Sequence, residues 1–160
     1  DQDGEACAGR LSLEDSRENL RLVRLVPLGD DVALAGAAAT EIDAELASVK
    51  GKPFVVFHDA YQYFEERFKV PAAGAITISP EVQPSAKRLG EIRRKIKDLD
   101  VACVFAEPQF KSKLVATVVE GTGAKAGTLD PEGASIEAGP DAYVSLLKNL
   151  AQDLKGCLTS

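Results

Sequence analysis

Hydrophobic positions along this chain switch between two periods. Phe54–Phe57 is an unbroken aromatic and β-branched run, the pattern of a strand covered on both faces, and His58 follows at its carboxyl end. Tyr61, Phe64 and Phe68 then recur at helical steps, with Asp59 placed to cap that helix. Upstream, Ala35, Ala38, Ala39, Ile42, Leu46 and Val49 step by three and four from a cap at Asp30 or Asp31. Glu41, Asp43 and Glu45 fall on the other side, and Gly51-Lys52-Pro53 ends this helix.

After a break at Val70-Pro71, Gly74–Ile78 reads as a second strand. Pro84 then opens a helix reaching about Leu99, with Leu89, Ile92, Ile96 and Leu99 inward. Val101–Ala106 is a third strand, Phe110–Glu120 a helix burying Leu114, Val115, Val118 and Val119, and Lys125–Leu129 a fourth strand. Gly139-Pro140 opens the last helix, where Tyr143, Leu146, Leu147, Leu150 and Leu154 make a stripe, with Cys157 just beyond it. Before Asp30 the pattern is weak. Leu20–Leu28 reads equally as an edge strand or a helical turn stopped by Pro27, and Asp1–Arg10 is polar and expected to fray.

Strands alternating with helices predict an α/β fold with a parallel sheet and right-handed crossovers. At 160 residues without repeat or low-complexity linker, one domain is expected. Apolar residues at 45% and charged residues at 28% are ordinary for a globular protein. A net charge of −6 and a pI near 4.9 argue against nucleic acid or an anionic membrane as partner. The helix after Pro84 carries Lys87, Arg88, Arg93, Arg94, Lys95 and Lys97, but no aromatic residues interleave, and a solvated face is the better reading. The first ten residues do not read as a signal peptide.

His58, Glu107 and Asp130 each end a strand of the expected sheet. In a parallel sheet those ends share one edge, so groups distant in sequence converge where open α/β sheets bind ligands. One imidazole with carboxylates suits zinc or manganese. The blander alternatives stand beside this: a lone histidine as a structural partner, Asp130 before Pro131 as an Asx-turn residue, Glu107 before Pro108 as a loop residue. No GxGxxG, GxxxxGK[ST] or GxSxG occurs, which disfavours nucleotide binding and hydrolase chemistry. Of the three cysteines, Cys7, Cys103 and Cys157, none forms a CxxC pair. By spacing, Cys103 and Cys157 fit a disulfide or two buried thiols equally.

FHDAYQYFEERF at 57–68, SPEVQPSAKRLGEIR at 79–93, CVFAEPQF at 103–110 and GTLDPEG at 127–133 resemble the C-terminal lobe of ZnuA-type proteins, the periplasmic zinc-binding components of bacterial zinc ABC importers. The resemblance implies a Rossmann-like lobe over residues 31–160, a four-stranded parallel sheet flanked by helices. Asp31–Lys50 would be the end of a long interdomain helix, and residues 1–30 show no family resemblance. It also implies a periplasmic transport component, not an enzyme, whose partner is a zinc ABC permease in the inner membrane.

The resemblance carries over residue by residue. His58 matches the lobe's histidine ligand for Zn2+, and Asp130 matches an aspartate that ligates the metal or closes the site beside it. Glu107 matches a motif residue that is not a primary ligand and is expected to support the cleft. Cys103 and Cys157 match the family's cysteine pair, which implies a disulfide suited to the periplasm; closing such a loop stabilises by about 4 kcal/mol. Cys7 has no counterpart. The family's N-terminal lobe, with its other histidine ligands, has no match here, so metal capture is expected to be weakened or incomplete. Completion would come from that missing lobe or a second copy of the chain; the alternative is a half-lobe that docks on partners without capturing metal. Whether the chain is a fragment, a truncated product or a natural half-protein stays open.

Overall fold

The computed structural model describes residues 28–160 apart from 78, 80–82, 111 and 112, with side chains from residue 36 onward. The chain divides into two units, Asp1–Leu34 and Ala35–Ser160. Of the first, only the start of a helix lies among the described residues, so Cys7 and most of Leu20–Leu28 fall outside them.

The elements follow in the order α1 (Leu28–Leu46), a 3-10 turn (Ala47–Val49), β1 (Phe54–His58), α2 (Gln62–Phe68), β2 (Gly74–Thr77), α3 (Ala86–Asp98), β3 (Cys103–Ala106), α4 (Lys113–Val119), β4 (Lys125–Thr128) and α5 (Ala142–Thr159). The four strands form one parallel sheet in the order β2-β1-β3-β4, a Rossmann-like α/β lobe. Alternation along β1 and β3 splits the core in two. Phe54, Val56, Cys103 and Phe105 face α1, α2 and α5, where they meet Ile42, Leu46, Phe68, Leu150 and Leu154. Val55, Phe57, Val104 and Ala106, with Ile76 of β2, face α3 and α4, meeting Ile92, Ile96, Val115 and Val118. Strands buried on both sides explain the continuous apolar runs that marked them in the sequence.

Element edges depart from expectation for local reasons. Helix α1 already runs from Leu28, so Asp30 and Asp31 lie inside its first turn rather than capping it; acidic residues are favoured there too, by the helix dipole. Asp59 does not cap α2, which starts at Gln62, and instead accepts a hydrogen bond from Gln62 Nε2 (2.9 Å). Helix α3 is capped by Ser85, whose Oγ accepts from the Arg88 N–H (3.2 Å); Pro84 precedes the cap rather than opening the first turn. Leu99 is the C-cap of α3 and is 46% exposed, because the helical phase that buries Ile92 and Ile96 ends there. Helix α4 starts at Lys113, three residues after Phe110, whose ring packs on Phe57 instead. Helix α5 begins at Ala142 and reaches Thr159, so Cys157 lies within it, while Tyr143 stands 63% exposed at its first turn.

The Cys103–Cys157 disulfide ties the start of β3 to α5 across 54 residues. Gly127 of β4 lies against it: a Cβ there would sit 2.6 Å from Phe105 Cε1 and 3.3 Å from Cys157 Sγ. Only glycine lets β4 come this close to the ring and the disulfide.

Candidate metal site

The parallel register carries the site residues to one edge. Val56 pairs with Phe105 and Ala106 with Thr128, so His58, the last residue of β1, and Leu129, just past β4, come level with Glu107, just past β3. The ladder extends one step further through Leu129 N–H to Ala106 O (2.9 Å). With strands about 4.8 Å apart, the His58 and Asp130 backbones lie roughly 10 Å from each other.

His58 and Glu107 meet directly. His58 Nδ1 lies 2.5 Å from Glu107 Oε1, and Glu107 is 3% exposed. Burial pushes the Glu107 carboxyl up, and its bonds to His58 and Tyr61 pull it back only in part. Phe110 stands edge-on to the imidazole at 6.1 Å, closing one side of it. Tyr61, 4% exposed, points its hydroxyl at Leu129 O (3.3 Å) and toward Glu107; burial and the Glu107 charge hold that hydroxyl protonated far above the usual tyrosine range.

Asp130 is held differently. Its Oδ1 accepts from Gln109 Nε2 (2.6 Å), Glu132 N–H (3.1 Å) and Gly133 N–H (3.0 Å), and its Oδ2 accepts from Ala134 N–H (2.7 Å). Gly133 has φ +66°, which turns its N–H onto the carboxylate and which a side chain would strain. Burial alone would raise this carboxyl, but the four donors outweigh it and hold it below the ordinary range. No hydrogen bond joins His58 to Asp130. Among the described residues no three histidine, cysteine, aspartate or glutamate side chains gather closely enough to hold a metal.

Of the residues singled out in sequence, His58, Glu107 and Asp130 thus share one edge, and Cys103 and Cys157 are bonded behind it. Tyr61 and Gln109 are the partners that sequence reasoning missed as site residues. Tyr61 read as one more position in an apolar stripe; Gln109 offered one signal, an amide two residues past a strand-end glutamate. An apolar groove of about 530 Å³, lined by Tyr63, Phe64, Arg67, Pro131 and Tyr143 among others, runs up to Tyr61.

Fold and edge together define an open α/β lobe with His58, Glu107 and Asp130 at the carboxyl edge of its parallel sheet. The family model of "Zinc-uptake complex component A periplasmic" matches residues 34–157. The high-affinity zinc uptake system protein ZnuA of Brucella suis is 58% identical over 123 residues, which is 77% of this chain and 37% of that protein. Among solved structures, the laminin-binding protein Lmb of Streptococcus agalactiae, described as having adhesin and metal-transporting activity, aligns with a TM-score of 0.67 and 31% identity over 78% of this chain and 47% of its own. A crystal structure of ZnuA aligns at 0.64 and 25% identity, over 77% and 45%. The chain belongs to the periplasmic zinc-uptake component A family, a family of transport components and not of enzymes. It spans less than half the length of each of these relatives.

Proposed function

We propose that this chain is the C-terminal lobe of a zinc-import receptor that captures Zn2+ in the periplasm through His58 and Asp130 and hands it to a zinc ABC permease in the inner membrane. On this reading residues 31–160 are the lobe, α1 is the end of the helix that leads in from a partner lobe, and residues 1–30 lie outside the metal-binding unit. The observation that carries it is the His58–Glu107 pair at the carboxyl edge of the sheet. Glu107 lies against Nδ1 and so leaves Nε2 as the ring nitrogen turned to a metal, the arrangement in which a carboxylate orients a ligating imidazole. Glu107 supports the cleft in this way and does not itself ligate.

Two donors are half of what zinc ordinarily takes. Completion therefore comes from the family's N-terminal lobe or from a second copy of this chain. Because transport involves no chemical change, release depends on the two halves of the ligand set separating. Calorimetric titration with zinc after chelator stripping tests the proposal. Saturable binding that His58→Ala and Asp130→Ala both abolish supports it; saturable binding indifferent to both substitutions sinks it. A second reading, a lobe that docks on its partners without capturing metal, is favoured by the lack of any three gathered ligands among the described residues, and predicts no saturable zinc binding at all.

A further inference from the structure

Asp130 offers its two oxygens unequally. Oδ1 accepts three N–H donors, from Gln109, Glu132 and Gly133, which fill the lone-pair directions of one carboxylate oxygen. Oδ2 accepts one, from Ala134, and keeps a lone pair. Three of the four donors are backbone N–H groups of the loop that follows Asp130 itself, so they hold the carboxylate relative to its own loop. Gln109 is the exception. It comes from the segment after β3, and its bond is the one that fixes Asp130 relative to a different strand end.

That same segment also carries the residues that hold His58. Glu107 binds Nδ1 at 2.5 Å and Phe110 stands edge-on to the ring. Residues 107–110 thus lie between the ends of β1 and β4 and touch both proposed ligands. Gln109 maintains its contact at a cost, because its Oε1 is buried without a hydrogen-bond partner. Reversing the amide would not relieve this, since it would set a carbonyl oxygen against a carboxylate oxygen at 2.6 Å. An amide with one end unsatisfied, packed where an apolar side chain would carry no such penalty, is there for its N–H.

We propose that Gln109 is a positioning residue for metal capture: by tying Asp130 Oδ1 to the segment that also holds His58, it keeps Oδ2 as the oxygen that zinc meets, in monodentate fashion. The inference rests on the reading of His58 and Asp130 as zinc ligands and names how the second of them is aimed. Removing the Gln109 N–H takes away the one Oδ1 donor that does not belong to the Asp130 loop, so that the carboxylate, held by its own loop alone, can turn and bring Oδ1 toward the metal. Outer hydrogen-bond partners of metal ligands typically matter by 10–100-fold in affinity.

The test uses the full chain and its Gln109→Met variant, which keeps the length and apolar bulk of the side chain and removes only the amide. Zinc affinity is measured by competition with a chromophoric chelator, alongside the melting temperature of the metal-free proteins. The expected result is roughly tenfold or more weaker zinc binding with little change in metal-free melting temperature. In infrared spectra of zinc-loaded protein with isotope-labelled aspartate, the gap between the two carboxylate stretches should have its wide, monodentate value in the parent and narrow in the variant, a change that a merely structural glutamine would not produce. Gln109→Asn, which keeps the amide but shortens its reach by one carbon, should weaken binding in the same direction and serves if the methionine variant does not fold. Affinity within twofold of the parent in these variants, while His58→Ala abolishes binding, overturns the positioning role and leaves the ligand assignment standing. Zinc binding unchanged by both His58→Ala and Asp130→Ala overturns the ligand assignment, and the positioning role falls with it.

Discussion

The two faces of the sheet are built by different rules. Toward α3 and α4 the strands present Val55, Phe57, Ile76, Val104 and Ala106 to Ile92, Ile96, Val115 and Val118, and none of these side chains carries a polar group. Toward α1, α2 and α5 the strands present Phe54, Val56, Cys103 and Phe105, and that face adds a disulfide, a glycine held against an aromatic ring and a buried tyrosine hydroxyl bonded to a strand-end carbonyl. His58 continues the alternation of Phe54 and Val56, and so belongs to this second face. An aliphatic layer tolerates small slips, because dispersion and burial are not directional. A hydrogen-bonded histidine–carboxylate pair does not, and the face that carries it is the one pinned covalently.

Breaking the pin should have the largest effect. Replacing both cysteines, Cys103→Ala with Cys157→Ala, releases a loop of 54 residues and is expected to cost about 4 kcal/mol in urea unfolding. The parent protein in dithiothreitol should lose a similar amount. A loss under 1 kcal/mol would mean that the two faces differ less than their construction implies. The aliphatic face gives the matching control. Ile76→Ala removes a fully buried side chain and should cost about 3 kcal/mol, equally in oxidising and reducing buffer. A cost that depends on the redox state of the disulfide would show the faces to be coupled.

Gly127→Ala sharpens the contrast further. Its new methyl group meets Phe105 at 2.6 Å, and the expected cost is about 1–3 kcal/mol. Part of that cost should vanish in the cysteine-free background, where the ring and α5 can move apart; strict additivity would place the strain in the strand alone. The smallest effect is expected at Glu65 of α2. Burial raises its carboxyl, the Ala72 N–H bonded to Oε2 (2.9 Å) offsets part of this, and the Asp59 charge raises it again; Oε1 has no partner. A carboxyl raised in the folded state contributes stability that is present below its unfolded value, about 4.3, and is lost as pH rises through the folded one. Glu65→Gln should therefore melt slightly higher than the parent at pH 7 and lose that advantage below about pH 4. Melting curves across that range check the sign.

The amino-acid sequence made some of this molecule legible and hid the rest for identifiable reasons. Phe54–Phe57 and Cys103–Ala106 stood out as strands because burial on both faces leaves an unbroken apolar run. His58, Glu107 and Asp130 could be placed on one edge because a parallel sheet puts every strand's carboxyl end on the same side. Leu99 and Tyr143 fitted apolar stripes but stand exposed, Leu99 at the C-cap of α3 and Tyr143 in the first turn of α5. Asp59 and Pro84 looked like helix starts, but the true starts lie at Gln62 and Ala86, where the chain has come off the sheet edge.

The order of elements, their parallel pairing and the placement of His58, Glu107 and Asp130 at one edge were legible in the sequence alone, because hydrophobic period and strand ends are local properties that survive without knowledge of the fold. Which of those groups touch was decided by the tertiary structure: that Glu107 holds His58, that Gln109 and not Glu107 reaches Asp130, and that Gly127 must carry no side chain. Hydrogen bonds act over about 3 Å, and strand register and loop path set such distances jointly among segments far apart in the chain. No single segment encodes them.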